Sequence, residues 1–495
     1  MGFLEVMVSW QICIIRRKRN VLVGGLKIIA YLRNSIIYKT PHSMEALLHY
    51  IWKHRIYPLC PLLTNKGEKI EVIDPGLHNS GAGPDFFNAK IKVDGMLWVG
   101  NVEIHDRASD WFLHGHDKDE AYDNVVLHVV GQDDMPVVTS KGEVARQMEM
   151  RVPQYVEDNY ARLLADDKYP PCSAALEKMS KLAIHGWMSA LGTERLEQKT
   201  EAIKQRVSRC GGSWEDAYFM TLARNFGFGA NGEAFEKWAA TLQLQSVAHH
   251  RDDIFQIETM FMGQAGLLDT DKMPERHREA AVADKYFVDM LREYKYLEHK
   301  FRLTAMDAAE WKYMRLRPQN FPQIRIAQLA NLYYNRRSGL SQLVECKTLD
   351  DFAELFSTRV TPYWQTHYSF GAESKHNIKQ LSKQSVGVLI VNTAVPMLFA
   401  WGRHKGNEEY CQRALDLLED MKAEKNSITR MWQECGMDIS SAADSQAVVQ
   451  LKKNYCDRRD CLRCRIGYAY IKENGWFVKE DGDPPRPSRG EGESD

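Results

Sequence analysis

Apolar and polar residues alternate on both sides of Asp94-Gly95 in the stretch PDFFNAKIKVDGMLWVGNVEIH. An Asp-Gly pair between two period-two runs is the sequence signature of a tight β-hairpin. With those two residues as the turn, Val93 faces Met96, Ile91 faces Trp98, Ala89 faces Gly100 and Phe87 faces Val102. The other face pairs Lys92 with Leu97, Lys90 with Val99, Asn88 with Asn101 and Phe86 with Glu103. A one-residue slip would mix the two faces, which favours this register. Ahead of the hairpin, Met44 to Trp52 has helical spacing, and Lys69 to Ile73 reads as a strand ended by Asp74-Pro75-Gly76. Behind it, Val125 to Val130 is a nearly continuous apolar run, the pattern of a buried strand, and Glu143 to Val152 suggests one more.

From Cys172 the texture changes. Leu176, Met179, Ala183, Trp187 and Leu191 recur at the three- and four-residue steps of one helix face, and similar spacing continues past Gly211-Gly212 and Pro318. The pattern predicts an α+β protein: a mixed α/β domain over 44–171, a mostly helical domain over 172–455 and a Cys-rich end over 456–479. Residues 480–495 carry Pro, Gly, Ser and charge without apolar anchors, the composition of a disordered tail. Residues 1–43 read as an extension upstream of the natural start, because the amphipathic pattern opens at Met44. Their apolar runs, Val8 to Ile15 and Val21 to Leu32, fall short of the roughly 20 residues that span a bilayer, so no membrane partner is expected.

Composition narrows this picture in three ways. A chain of 495 residues exceeds what one hydrophobic core usually serves, so two domains are the natural division. Its net charge of −1 means that any surface for nucleic acid must be local. Ten cysteines are too sparse for a disulfide scaffold at this length, which fits free thiols and a cytoplasmic setting.

The hairpin register also brings chemistry together. Asp85, at the start of the first strand, lies diagonally beside Glu103, and His105 follows on the same face because strand side chains alternate. Between Asp85 and Asp123 there are nine acidic residues against four basic ones, and His105, His114 and His116 lie in the same span. Paired carboxylates repel unless a cation or proton is shared between them. Carboxylates suit magnesium or manganese, and imidazoles suit transition metals. The alternative is a solvated acidic edge with satisfied histidines. His128, inside the apolar run, reads as a satisfied core residue.

Pro84-Asp85, a strand, a turn and then Glu103-Ile104-His105 resembles the PD-(D/E)XK nuclease superfamily. That likeness implies a restriction-endonuclease-like domain in which Asp85 and Glu103 hold magnesium, with the Ile104 carbonyl as a further ligand. His105 stands where the superfamily has its catalytic lysine, and Lys90 is a candidate for a relocated cation. GPDFFNAKI, GNVEIH, HGHDKD, AYDNVVLHVV and RPQNFPQIRIAQLA together resemble an uncharacterised bacterial domain-of-unknown-function family, over about Met44 to Tyr470.

Three features of the helical part bear on function. Gly227-Phe228-Gly229-Ala230-Asn231-Gly232 spells GxGxxG but follows a helical stretch, so it reads as a helix stop and not as a dinucleotide site. Trp311 to Arg337 contains no Asp or Glu. It offers Lys312, Arg315, Arg317 and Arg325 for phosphates and Trp311 and Tyr313 as stacking platforms, although a structural loop fits equally. Cys456, Cys461 and Cys464 have the C-x4-C-x2-C spacing of a zinc or iron–sulfur site that would need a distant fourth ligand. Their helix opens on Ser441 and Asp444, a capping-box pair.

The function expected from all this is metal-dependent hydrolysis of phosphodiester bonds in nucleic acid by an endo- or exonuclease centred on Asp85, Glu103 and His105. The alternatives are a non-catalytic nucleic-acid- or protein-binding module on a degenerate nuclease fold, and a zinc hydrolase built on His105, His114 and His116.

Overall fold

The computed structural model describes residues 44–473, apart from 58, 59, 80, 166–169, 274 and 338. The expectations for 1–43 and 480–495 lie outside the described residues. The chain is α+β and falls into two compact units. One runs to Lys178 and resumes at Arg459; the other is Met179–Arg458. The texture of the sequence marked the change near Cys172, but not the return of the chain to its first unit at Arg459.

The first unit is built on a seven-stranded sheet, with β1 (Leu62–Leu63), β2 (Lys69–Asp74), β3 (Leu77–His78), β4 (Phe86–Val93), β5 (Met96–Arg107), β6 (Val125–Gln132) and β7 (Gln147–Glu149). The spatial order is β1-β2-β4-β5-β6-β7, with β3 beside β4. Pairing is antiparallel up to β5, then parallel between β5 and β6 and between β6 and β7. Helix α1 (Met44–His54) buries Leu47, Leu48, Ile51 and Trp52 and packs across β5 and β6. The link from β5 to β6 holds α2 (Asp110–Leu113) and two short 3-10 turns. Helix α3 (Gln154–Ala165) carries Asn159, whose buried amide donates to the carbonyls of Ile471 (3.0 Å) and Glu473 (2.9 Å). That bond satisfies orphan carbonyls at the end of the helix Arg465–Ile471 and ties the returning segment down.

The hairpin turns at Asp94-Gly95 and keeps the expected register from Val93↔Met96 to Ala89↔Gly100. Beyond that the ladder shifts, and Phe86 pairs with Val102 in place of Phe87. The extra residue is a β-bulge at Asn88, which adopts φ +56°, a left-handed conformation that Asn tolerates. The shift buries Phe86 completely. Met96 and Trp98, expected on an apolar face, are 65% and 37% exposed. The reason is that β6 joins β5 only from Asn101 onward. The guanidinium of Arg146 lies 4.4 Å over the Trp98 ring.

The second unit packs its helices around one large apolar core that includes Tyr218, Trp238, Phe261, Leu329 and Trp364. The glycines of GxGxxG end the helix Trp214–Phe226, and a side chain at Gly227 would meet Gly232 N at 2.4 Å. They make a tight helix-to-helix turn, as the sequence context implied. Lys383–Lys405 is the one described helix long and apolar enough to cross a bilayer. It is a core element here, with Leu389, Val391, Ala394 and Leu398 buried. A π-turn at Ile390–Ala394 precedes Pro396, where the helical ladder lacks a donor. Ser441 and Asp444 form the expected capping box.

Glu258 in this core is fully buried and accepts hydrogen bonds from Tyr286 Oη (2.6 Å) and Thr361 Oγ1 (2.9 Å). Burial outweighs those bonds and pushes its carboxyl up to about 7 from an ordinary 4.5. The folded state therefore holds the proton more tightly than the unfolded chain does. The stabilisation is complete below about pH 4.5 and is lost as pH climbs to about 7, a difference of roughly 3 kcal/mol. Glu258→Gln should flatten that decline and make the chain more stable at pH 8, as read by denaturant unfolding at pH 5 and pH 8.

Candidate metal centre

The strands and the β5–β6 link bring six side chains to one place. Glu103 and His105 lie two apart on β5, and both are buried. The parallel register sets His128 of β6 opposite Glu103. The link then returns with His114 and His116 on either side of Gly115, whose φ of +79° turns the chain between them. Because the bulge moves Phe86 onto Val102, Asp85 abuts Glu103 directly. Asp85 N–H donates to Glu103 Oε2 (3.0 Å), and Ile104 N–H donates to Asp85 Oδ2 (2.9 Å). From α1, His49 Nε2 reaches Asp85 Oδ2 at 3.3 Å.

His105, His114 and His116 place one nitrogen each within 4.8 Å of one another, the only such set of three among the described residues. His105 Nε2 is 3.0 Å from His114 Nδ1, and His116 Nε2 is 3.2 Å from Glu103 Oε1. Ligand atoms about 2.0–2.1 Å from a tetrahedral zinc lie about 3.3 Å apart. Two edges of the cluster, His105–His114 and His116–Glu103, already match that spacing, while the three imidazole nitrogens as a set lie within 4.8 Å of one another. On the far side, His105 Nδ1 is 2.8 Å from His128 Nε2, the outer hydrogen bond that commonly fixes the tautomer of a ligating histidine.

The electrostatics suit a cation. Burial, followed by the neighbouring histidines, drives His105 down to about 2, and burial drives His128 to about 3. Both imidazoles are neutral at pH 7, the form in which a histidine can ligate a metal. Burial raises the Glu103 carboxyl; the His116 hydrogen bond opposes this and the Asp85 charge adds to it. For His49 burial acts against the charged ring, but the hydrogen-bonded Asp85 prevails, with Glu45 and Glu103 adding to it, and its pKa is raised.

Other candidate residues from the sequence lie elsewhere. Lys90 pairs with Val99, four residues from Glu103 on β5, a separation of about 13 Å at ~3.3 Å per residue. That distance removes it as a stand-in for the lysine. In the second unit, Trp311 is buried and donates from Nε1 to the Ala265 carbonyl (2.8 Å). Arg325 is buried over the Phe228 ring and donates to Gln328 Oε1 (2.9 Å) and Asn320 Oδ1 (2.6 Å). Core packing claims both, and only Lys312, Tyr313, Arg315 and Arg317 present exposed side chains. Cys456 ends a π-turn of the second unit, while buried Cys464 and half-buried Cys461 belong to the first. These three cysteines do not form a second set with donor atoms within 4.8 Å. Burial pushes the Cys461 thiol up to about 11, which disfavours the thiolate a metal needs.

The trio predicts one equivalent of tightly bound zinc in the purified chain, measured by elemental analysis and calorimetry. His116→Ala should abolish binding, and His128→Leu, which removes only the outer hydrogen bond, should weaken it about 10- to 100-fold.

Residues 45–427 match the family model described as "Protein of unknown function (DUF2851)". Comparisons with curated proteins and with solved structures return no match. The matched span takes in the whole histidine and carboxylate cluster and most of the helical unit, and the chain belongs to the DUF2851 family.

Proposed function

We propose that this chain is a metal-dependent hydrolase acting on phosphodiester bonds in nucleic acid, with its ion held by His105, His114 and His116. The convergence of three imidazole nitrogens beside Glu103 carries this reading. An imidazole-rich set favours zinc or another transition metal over magnesium, which prefers oxygen ligands. The restriction-endonuclease-like resemblance supports this reading of the reaction, as does the position of Asp85, just ahead of β4, against Glu103 of β5.

An ion in such a site lowers the pKa of a bound water and polarises a phosphoryl oxygen. The protein supplies the rest. Glu103, with its carboxyl raised by burial, is placed to accept the proton of the attacking water. Asp85 clamps the Ile104 amide and holds His49, which stiffens the strand carrying Glu103 and His105. His128 fixes the tautomer of His105. The exposed Lys312, Arg315 and Arg317 offer phosphate contacts on the second unit.

The test is cleavage of labelled single- and double-stranded DNA and RNA by the full chain with zinc, manganese or magnesium. Glu103→Gln should retain the metal and lose 100-fold or more in rate, the range that a positioned general base contributes. His105→Lys should lose zinc, whereas a superfamily-type lysine site would keep or gain activity. No cleavage of any polynucleotide with any of the three ions, or full activity in Glu103→Gln, defeats the proposal. Metal retained without hydrolysis would leave a structural zinc.

A further inference from the structure

The glycine-rich turn Gly227–Gly232 borders a small cavity of about 30 Å3 within the second unit. Gly227, Asn231, Phe235, Leu316 and Arg325 are among its lining residues, and none of the lining residues is acidic. Arg325 brings a buried charge to this wall. It is only 7% exposed, and each of its partners is neutral. Nη1 donates to Gln328 Oε1 (2.9 Å), Nη2 donates to Asn320 Oδ1 (2.6 Å), and the guanidinium lies over the Phe228 ring. Its Nε has no hydrogen-bond partner. Burial alone acts on its pKa and lowers it to about 10, so the group is charged at neutral pH and no carboxylate offsets it. A buried charge is costly unless an opposite charge is held beside it.

The end of a helix adds to this from the other side. The helix Gly232–Thr241 starts at the cavity without a side-chain cap. Asn231, at the capping position, is committed elsewhere: it accepts from the Lys312 N–H (2.8 Å) and donates to the Lys312 carbonyl (2.9 Å). The first amides of a helix have no partner within it, and the helix dipole puts partial positive charge at that end. The acid of the first turn, Glu233, is exposed and stands outside the cavity wall. Leu316 closes another side between the exposed Arg315 and Arg317. The wall therefore carries positive charge with no counter-charge of its own. Volume limits the ligand. One water needs about 10–15 Å3, so this cavity has room for a small ion and none for a nucleotide.

We propose that the cavity binds a small inorganic anion, of which chloride is the common one, between Arg325 and the open start of the helix Gly232–Thr241. The ion joins the glycine-rich turn to the helix Pro322–Tyr334, which carries Arg325. This inference does not depend on the nuclease reading.

Thermal unfolding of the full chain, with chloride replacing gluconate at fixed ionic strength, tests it. Chloride should raise the wild-type midpoint by about 2–4 °C. Arg325→Gln should lose that response. If this variant does not fold, Asn320→Asp decides, because it puts a carboxylate where Asn320 Oδ1 meets Arg325 Nη2. It should fold without chloride and also lose the response. His116→Ala should keep the response, which separates the cavity from the histidine centre. Crystals soaked in bromide should show an anomalous peak beside Arg325 that Asn320→Asp lacks. No chloride-dependent rise in the wild type, no bromide beside Arg325, or a full response in Asn320→Asp each overturns the proposal. A response lost in His116→Ala and kept in Asn320→Asp would put the anion at the histidine centre and overturns it equally.

Discussion

The parallel pairing of β5 with β6 is the constraint on which the rest of the site depends. It sets Glu103 level with His128 and His105 level with Val130, so that a buried imidazole on one strand meets a buried imidazole on the next. A parallel pair cannot be closed by a two-residue turn, so the chain must travel a longer path between the strands. That path is the segment carrying His114 and His116. The topology that buries the two strands therefore also brings the remaining donors over their ends.

The centre gathers neutral imidazoles and carboxylates in a buried place. Two imidazole nitrogens stand 3.0 Å apart at His105 and His114, and burial denies His105 the proton that would make it a cation. Glu103 carries the opposite difficulty, a carboxylate withdrawn from water beside Asp85. In the proposed centre a positive ion would lie among these groups. By contrast, the part-buried triple-arginine clamp on Glu236 in the helical unit is already balanced. Burial pushes its carboxyl up, but Arg206, Arg209 and Arg224 together overcome this and hold it down at about 2.

Much of this was legible in the residues. The Asp-Gly turn and strand alternation were enough to bring Asp85 to Glu103, because hairpin pairing is local in sequence. The bulge at Asn88 was not, since it serves to bury Phe86 against a core that no local pattern describes. His128 was read as a satisfied core histidine; it is buried as expected, but its partner is His105, reached across a strand pair separated by a long link. The available signal was a lone titratable residue in an otherwise apolar strand. His49 was missed because α1 reads as an ordinary amphipathic helix and its contact with Asp85 is tertiary. The basic run from Trp311 to Arg337 misled in part, since composition does not distinguish an arginine facing water from one lying over Phe228.

The return of the chain at Arg459 has a consequence for the order in which the protein can be made. The sheet unit is interrupted by about 280 residues of helical unit. At roughly 5–20 residues per second, a ribosome spends tens of seconds between the two halves of its first unit. During that interval the carbonyls that Asn159 caps and the ring that Tyr468 lays against His54 do not yet exist. The strands and the histidine centre can form early, whereas a recess beside them, lined by His49, waits for Leu462 and Arg463. Assembly of the histidine cluster and completion of the neighbouring cavity are thus separated in time within a single round of synthesis.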